Sequence, residues 1–130
     1  MPARRASILV VEDETLIAEL IVDVLCERGF EVHAVADAEA ALRYVESGSE
    51  VDVLFTDINL PGKMDGAALA RRARELLPNL PVIYASARAT MLAPDARVPG
   101  AIIVPKPYEP ELIGRLLTAV LRQAATGVPA

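Results

Sequence analysis

Hydrophobic positions follow two rhythms along this chain. Short unbroken apolar runs at Ile8-Leu9-Val10-Val11, Val53-Leu54-Phe55, Val82-Ile83-Tyr84-Ala85 and Ala101-Ile102-Ile103-Val104 read as strands buried on both faces, and Phe30 to Val35 alternates weakly as a further strand. Between them the spacing turns helical. Leu16, Ile17, Leu20, Ile21, Val24 and Leu25 predict a first helix, closed by the cation and C′ glycine of Arg28-Gly29. Asp37 predicts the cap of a helix over 38–46, closed by Ser47-Gly48. A third helix, over about 66–77, puts Leu69, Ala73, Leu76 and Leu77 on one face, and Pro78 stops it. Pro94 and Pro99 leave room for only a short or irregular fourth helix between 87 and 100. Pro110 then opens a last helix, in which Leu112, Ile113, Leu116, Leu117, Val120 and Leu121 repeat the spacing of the first. The sum is five strands alternating with five helices, joined by connections that require right-handed crossovers. This predicts an α/β, doubly wound, single domain over 1–130, with its core from about 7 to 122 and a loose tail over 124–130.

The strand ends carry the chemistry. Glu12 and Asp13 follow the first strand, Asp57 the third, Ser86 the fourth and Lys106 the fifth. In open parallel sheets the crevice beyond the carboxyl ends of the strands is where ligands gather. If the first and third strands are neighbours, three carboxylates converge there, and each close pair repels by roughly 4 kcal/mol at about 4 Å and an effective dielectric near 20. Hard carboxylate oxygens suit Mg²⁺, which would offset that repulsion. A carboxylate can also attack phosphorus to give an aspartyl phosphate, with Lys106 and Ser86 as an ammonium and a hydroxyl donor for the phosphoryl oxygens.

Composition narrows the field. Apolar residues make up 53% of the 130 and aromatic ones only 4%, so Val, Ile, Leu and Ala must build the core. A net charge of -5 argues against a broad basic surface for nucleic acid. The chain has no apolar run of the ~20 residues a membrane span needs and no signal-peptide pattern, so a cytoplasmic location is expected. Cys26, the one cysteine, reads as a small, partly buried side chain, and His33 as a structural or solvent-facing one. Arg71, Arg72 and Arg74 read as a solvated face with an Arg71 to Glu75 pair.

The segments EDE after the first strand, TDINLPGKMDG after the third, ASA after the fourth and KPY after the fifth resemble the receiver domain of two-component response regulators, over about 7–122. The resemblance implies a flavodoxin-like sheet of five parallel strands in the order 2-1-3-4-5. It also implies that Asp57 accepts phosphate from a histidine kinase or histidine phosphotransfer protein. Asp13 and Asp57 would bind Mg²⁺ directly, the backbone carbonyl of Asn59 would complete the protein ligands, and Glu12 would act through water. Lys106 would pair with the phosphoryl group and Ser86 would donate to it, and Lys106-Pro107 is a candidate cis peptide. A downstream protein would read the 87–122 face, and the molecule would be a monomer or weak dimer. A stand-alone regulator or phosphate shuttle fits the start at Met1 and the short tail; a receiver fragment of a hybrid histidine kinase is the alternative.

The chain also departs from the family pattern. Gly62-Lys63 adds one residue to the commonest loop spacing, the span from Ser86 to Lys106 is short, and Arg88 falls where members tune acyl-phosphate hydrolysis. Many members carry an inward-turning aromatic on the fifth strand where this chain has Ile103, which puts that device in question. Two other functions compete. A phosphatase with an aspartate nucleophile would pair two aspartates two residues apart after the first strand, whereas here Asn59 follows Asp57, after the third. A flavodoxin-type carrier would cradle a phosphate in its first loop, where Glu12-Asp13-Glu14 would repel it.

Overall fold

Strands β1 (Ser7–Val11), β2 (Glu31–Val35), β3 (Val53–Asp57), β4 (Val82–Ser86) and β5 (Ile102–Pro105) form one sheet in the order β2-β1-β3-β4-β5, with every pairing parallel. Among the described residues the helices are α1 (Thr15–Glu27), α2 (Ala38–Glu46), α3 (Gly66–Leu76) and α4 (Pro110–Thr126). The structure is a computed structural model and describes residues 5–87 and 97–126. The expected short helix between 87 and 100, and Arg88 within it, lie largely outside the described residues.

Side chains alternate across each strand, so the sheet has two dry faces. Leu9, Val11, Leu54, Val82 and Tyr84 meet α2 and α3, while Ile8, Val10, Phe55 and Ile83 meet α1 and α4. Alanines at 38, 41, 70 and 73 are all buried, so α2 and α3 lie close to the sheet and to each other without large side chains. Asp37 and Asp65 cap these two helices, accepting from the N–H groups of Ala40 at 2.7 Å and Ala68 at 2.8 Å.

The structure corrects several sequence readings. Only Ile21 and Leu25 of the α1 stripe are buried; Leu16 is 76% exposed and Leu20 57%, because they lie to one side of the line along which the helix meets the sheet. Cys26 is exposed, since it falls beside that same line. Leu76 is 50% exposed at the end of α3. Arg74 is no solvated arginine: its guanidinium donates to the carbonyls of Leu80 at 2.6 Å and Pro99 at 2.9 Å. Glu75 pairs with Arg72 at 3.8 Å, one helical turn back. The last helix continues through Thr126, past the point where a loose tail was expected, because Gln123, Ala124 and Ala125 favour helix. His33 is exposed and stacks on Tyr44, with ring centroids 4.0 Å apart.

Candidate functional site

Among the described residues, the buried polar or charged side chains are Glu12, Thr56, Asp57 and Ser86, and all stand at the carboxyl ends of strands. Their placement follows from register. Val11 of β1 lies opposite Thr56 of β3, so Glu12 and Asp57 emerge side by side; Asp57 lies opposite Ala85 and Ser86 opposite Pro105, which brings Lys106 across the same edge. The N–H of Lys106 donates to the carbonyl of Ser86 at 3.0 Å, and the peptide bond from Lys106 to Pro107 is cis.

The side chains converge as the sequence led one to expect. Lys106 Nζ donates to Asp57 Oδ2 at 2.7 Å and stands 3.6 Å from Glu12 Oε1. Carboxylate oxygens of Glu12, Asp13 and Asp57 all lie within 4.8 Å of one another; Asp13 is exposed, whereas Glu12 and Asp57 are 4% and 5% exposed. Glu12 Oε2 accepts from the N–H of Glu14 at 3.0 Å, and the nearby main-chain N–H of Asn59 lowers the pKa of Asp57 slightly. Asn59 itself is exposed, in the loop after β3.

Burial raises the pKa of both Glu12 and Asp57, against the opposing pull of Lys106 and of the backbone N–H groups. The Lys106 pKa is raised as well. Burial alone would lower it, but the hydrogen bond and charge of Asp57, with Glu12 and Glu14, outweigh that. Three carboxylates thus face one ammonium, and the cluster keeps a net negative charge. An all-oxygen donor set of this kind fits a small hard divalent cation.

Three neighbours of the site carried no readable sequence signal as isolated residues. Thr56, fully buried, donates its hydroxyl to the carbonyl of Asp57 at 2.9 Å. Gly66 packs directly on the main chain of Asp57 and Ile58. Tyr108 sets its ring edge-on to Phe55 at 5.7 Å, and its hydroxyl is buried without a hydrogen-bond partner. Burial and the nearby carboxylates of Glu12 and Asp57 raise the pKa of that hydroxyl strongly. Beside Lys106 and Tyr108, a groove of about 390 Å³ runs to Ile17 and Leu20 of α1. At position 103 of β5 the side chain is Ile, opposite Tyr84 of β4, whose buried hydroxyl accepts from the N–H of Val98 at 3.2 Å.

The sequence matches the response regulator receiver domain over residues 8–118. It is 36% identical over 129 residues to the DNA-binding transcriptional regulator NtrC of Bradyrhizobium sp. (strain RP501 Parasponia), covering 96% of this chain and 25% of that protein. It is also 36% identical over 109 residues to the sensor kinase CckA of Brucella abortus (strain 2308), covering 79% of this chain and 11% of that one. The chain therefore spans a quarter or less of the length of these relatives. A response regulator receiver protein from Sinorhizobium medicae WSM419 superposes with a TM-score of 0.81 at 34% identity, over 91% of this chain and 93% of that one. With the sheet order, the acidic cluster and the lysine in place, the chain belongs to the receiver domain family of response regulators.

Proposed function

We propose that this chain is a phosphoacceptor switch in which Asp57 takes a phosphoryl group from a histidine of a kinase or phosphotransfer protein. The observation that carries the reading is a buried aspartate at the end of a central strand, bonded to Lys106 and flanked by Glu12 and Asp13. An Asp57 oxygen attacks phosphorus, the bond from phosphorus to the donor imidazole nitrogen breaks, and the ring nitrogen keeps the electron pair. Lys106 holds the attacking carboxylate and then balances charge on the transferred oxygens. Ser86, 3% exposed on the next strand, supplies a hydroxyl toward the phosphoryl group once it is attached. Asp13, Asp57 and the Asn59 carbonyl would hold Mg²⁺, with Glu12 through water. When bound, that ion neutralises the carboxylates and the incoming phosphate.

The apolar groove between Leu20, Tyr108 and Pro110 adjoins Lys106 and offers a phosphodonor protein a place to dock next to the acceptor. The added phosphate brings about -1.5 to -2 charges to the strand ends, and a downstream protein reads the change on the face formed by β5 and α4. Incubation with acetyl phosphate and Mg²⁺ should place one alkali-labile phosphoryl group on the protein, seen by intact mass, and none on Asp57→Asn. Sustained release of phosphate from assorted esters would point to a phosphatase, and a flavin carried through purification to a flavodoxin-type carrier.

A further inference from the structure

We infer that Gly66 is a positioning residue for the phosphoacceptor, an assignment that rests on the function proposed above. Gly66 opens α3 and is buried. A methyl group there would stand 2.9 Å from the Asp57 carbonyl carbon and from the Ile58 Cα, and closer still to the Asp57 carbonyl oxygen. Its φ is not among the positive values, so the position requires the missing side chain and not glycine's backbone freedom. The atoms in the way belong to the main chain at the end of β3 and of the residue after it, and cannot rotate aside.

The contact is locked from both sides. The N–H of Gly66 donates to the Ile58 carbonyl at 2.8 Å, closing the loop after β3 at its base. Thr56 donates to the same Asp57 carbonyl that Gly66 crowds. The helix cannot easily back away, because Leu69, Ala70 and Ala73 anchor α3 in the core with no exposed surface. An added methyl group must therefore push on Asp57 to Asn59. That moves the acceptor carboxylate relative to the Asn59 carbonyl proposed to share its cation.

The test compares Gly66→Ala with Asp65→Ala, which removes the α3 cap and leaves the contact untouched. Initial rates of phosphate uptake from acetyl phosphate are measured against Mg²⁺ concentration, and the folded fraction of each variant by circular dichroism. Per folded molecule, Gly66→Ala should lose about 100-fold in maximal rate, the scale of an ångström misplacement, and should need about 10-fold more Mg²⁺ for half of it. Asp65→Ala should keep both. Wild-type values in Gly66→Ala, or equal losses in the two variants, would overturn the assignment. If Gly66→Ala does not fold, the wild-type protein decides. In a Mg²⁺ titration followed by amide NMR, the Gly66 resonance should move with the same midpoint as that of Asn59, and a stationary Gly66 overturns the inference. A wild-type protein that takes up no phosphate would defeat the proposed function instead, while the titration would still report on Gly66.

Discussion

Both ends of β3 carry an aspartate, and the two have opposite fates. Asp52, just before the strand, accepts from the N–H of Ser7 at 2.7 Å and returns its own N–H to the Ser7 carbonyl at 2.7 Å. Asp57, at the strand's other end, is met by Lys106 and two further acids. Where parallel strands begin, main-chain N–H groups are left over, and a carboxylate satisfies them at little cost. At the finish of β1 and β3, Glu12 and Asp57 are buried side by side with Asp13 close by, and like charges at that range repel, so this cluster needs a cation. Asp52 is therefore part of the scaffold, whereas Asp57 belongs to the acidic cluster around Lys106.

The largest expected effect comes from removing the cation that makes the difference. Lys106→Met should lower the rate of phosphate uptake from acetyl phosphate by about 100-fold or more, the usual consequence of deleting a preorganised charged donor. Near-wild-type rates would mean that Lys106 serves only to hold the acids.

A smaller effect concerns pH. Because Glu12 and Asp57 have pKa values raised above 4.5 and 3.8, the folded protein binds their protons more tightly than the unfolded chain does. Their contribution to stability is fully present below those ordinary values and is lost as pH rises through the raised ones. In EDTA, the urea midpoint of the wild type relative to Asp57→Asn should therefore fall as pH rises from below the ordinary aspartate value through the raised one. Mg²⁺ should restore the difference near neutrality and not in acid. A gap that does not vary with pH in EDTA would show that Asp57 is as comfortable as Asp52.

The smallest effect belongs to the scaffold acid. Asp52→Asn keeps an acceptor for Ser7 but gives up the charge, so a loss of about 1 kcal/mol in urea unfolding is expected, with phosphate uptake unchanged. Impaired uptake would collapse the distinction between the two ends.

Much of this arrangement is legible in the sequence, for a physical reason. Strands buried on both faces must be continuous apolar runs, and the acids, serine and lysine stand out because each interrupts such a run where the pattern stops. The helix over 38–46 reads equally well, since Asp37 and Gly48 mark its two ends chemically. The illegible features depend on direction or on distant partners. Periodicity placed six apolar residues on α1 but could not show that Leu16 and Leu20 miss the sheet. Arg74 looks like its neighbours until the fold brings the Pro99 carbonyl, 25 positions away, within reach. Tyr84 gives no hint that Val98 will donate to it, and Gly66 no hint that a strand lies against it.

In the loop after β3, Gly62 adopts a φ of +96° with the Glu39 carboxylate against it. The base of that loop is fixed separately, by the bond from Gly66 to Ile58. The rim of the loop and its base are thus held by different contacts. A change in the rim at Gly62 would therefore have to pass through the Gly66 to Ile58 bond before it moved the Asp57 carboxylate.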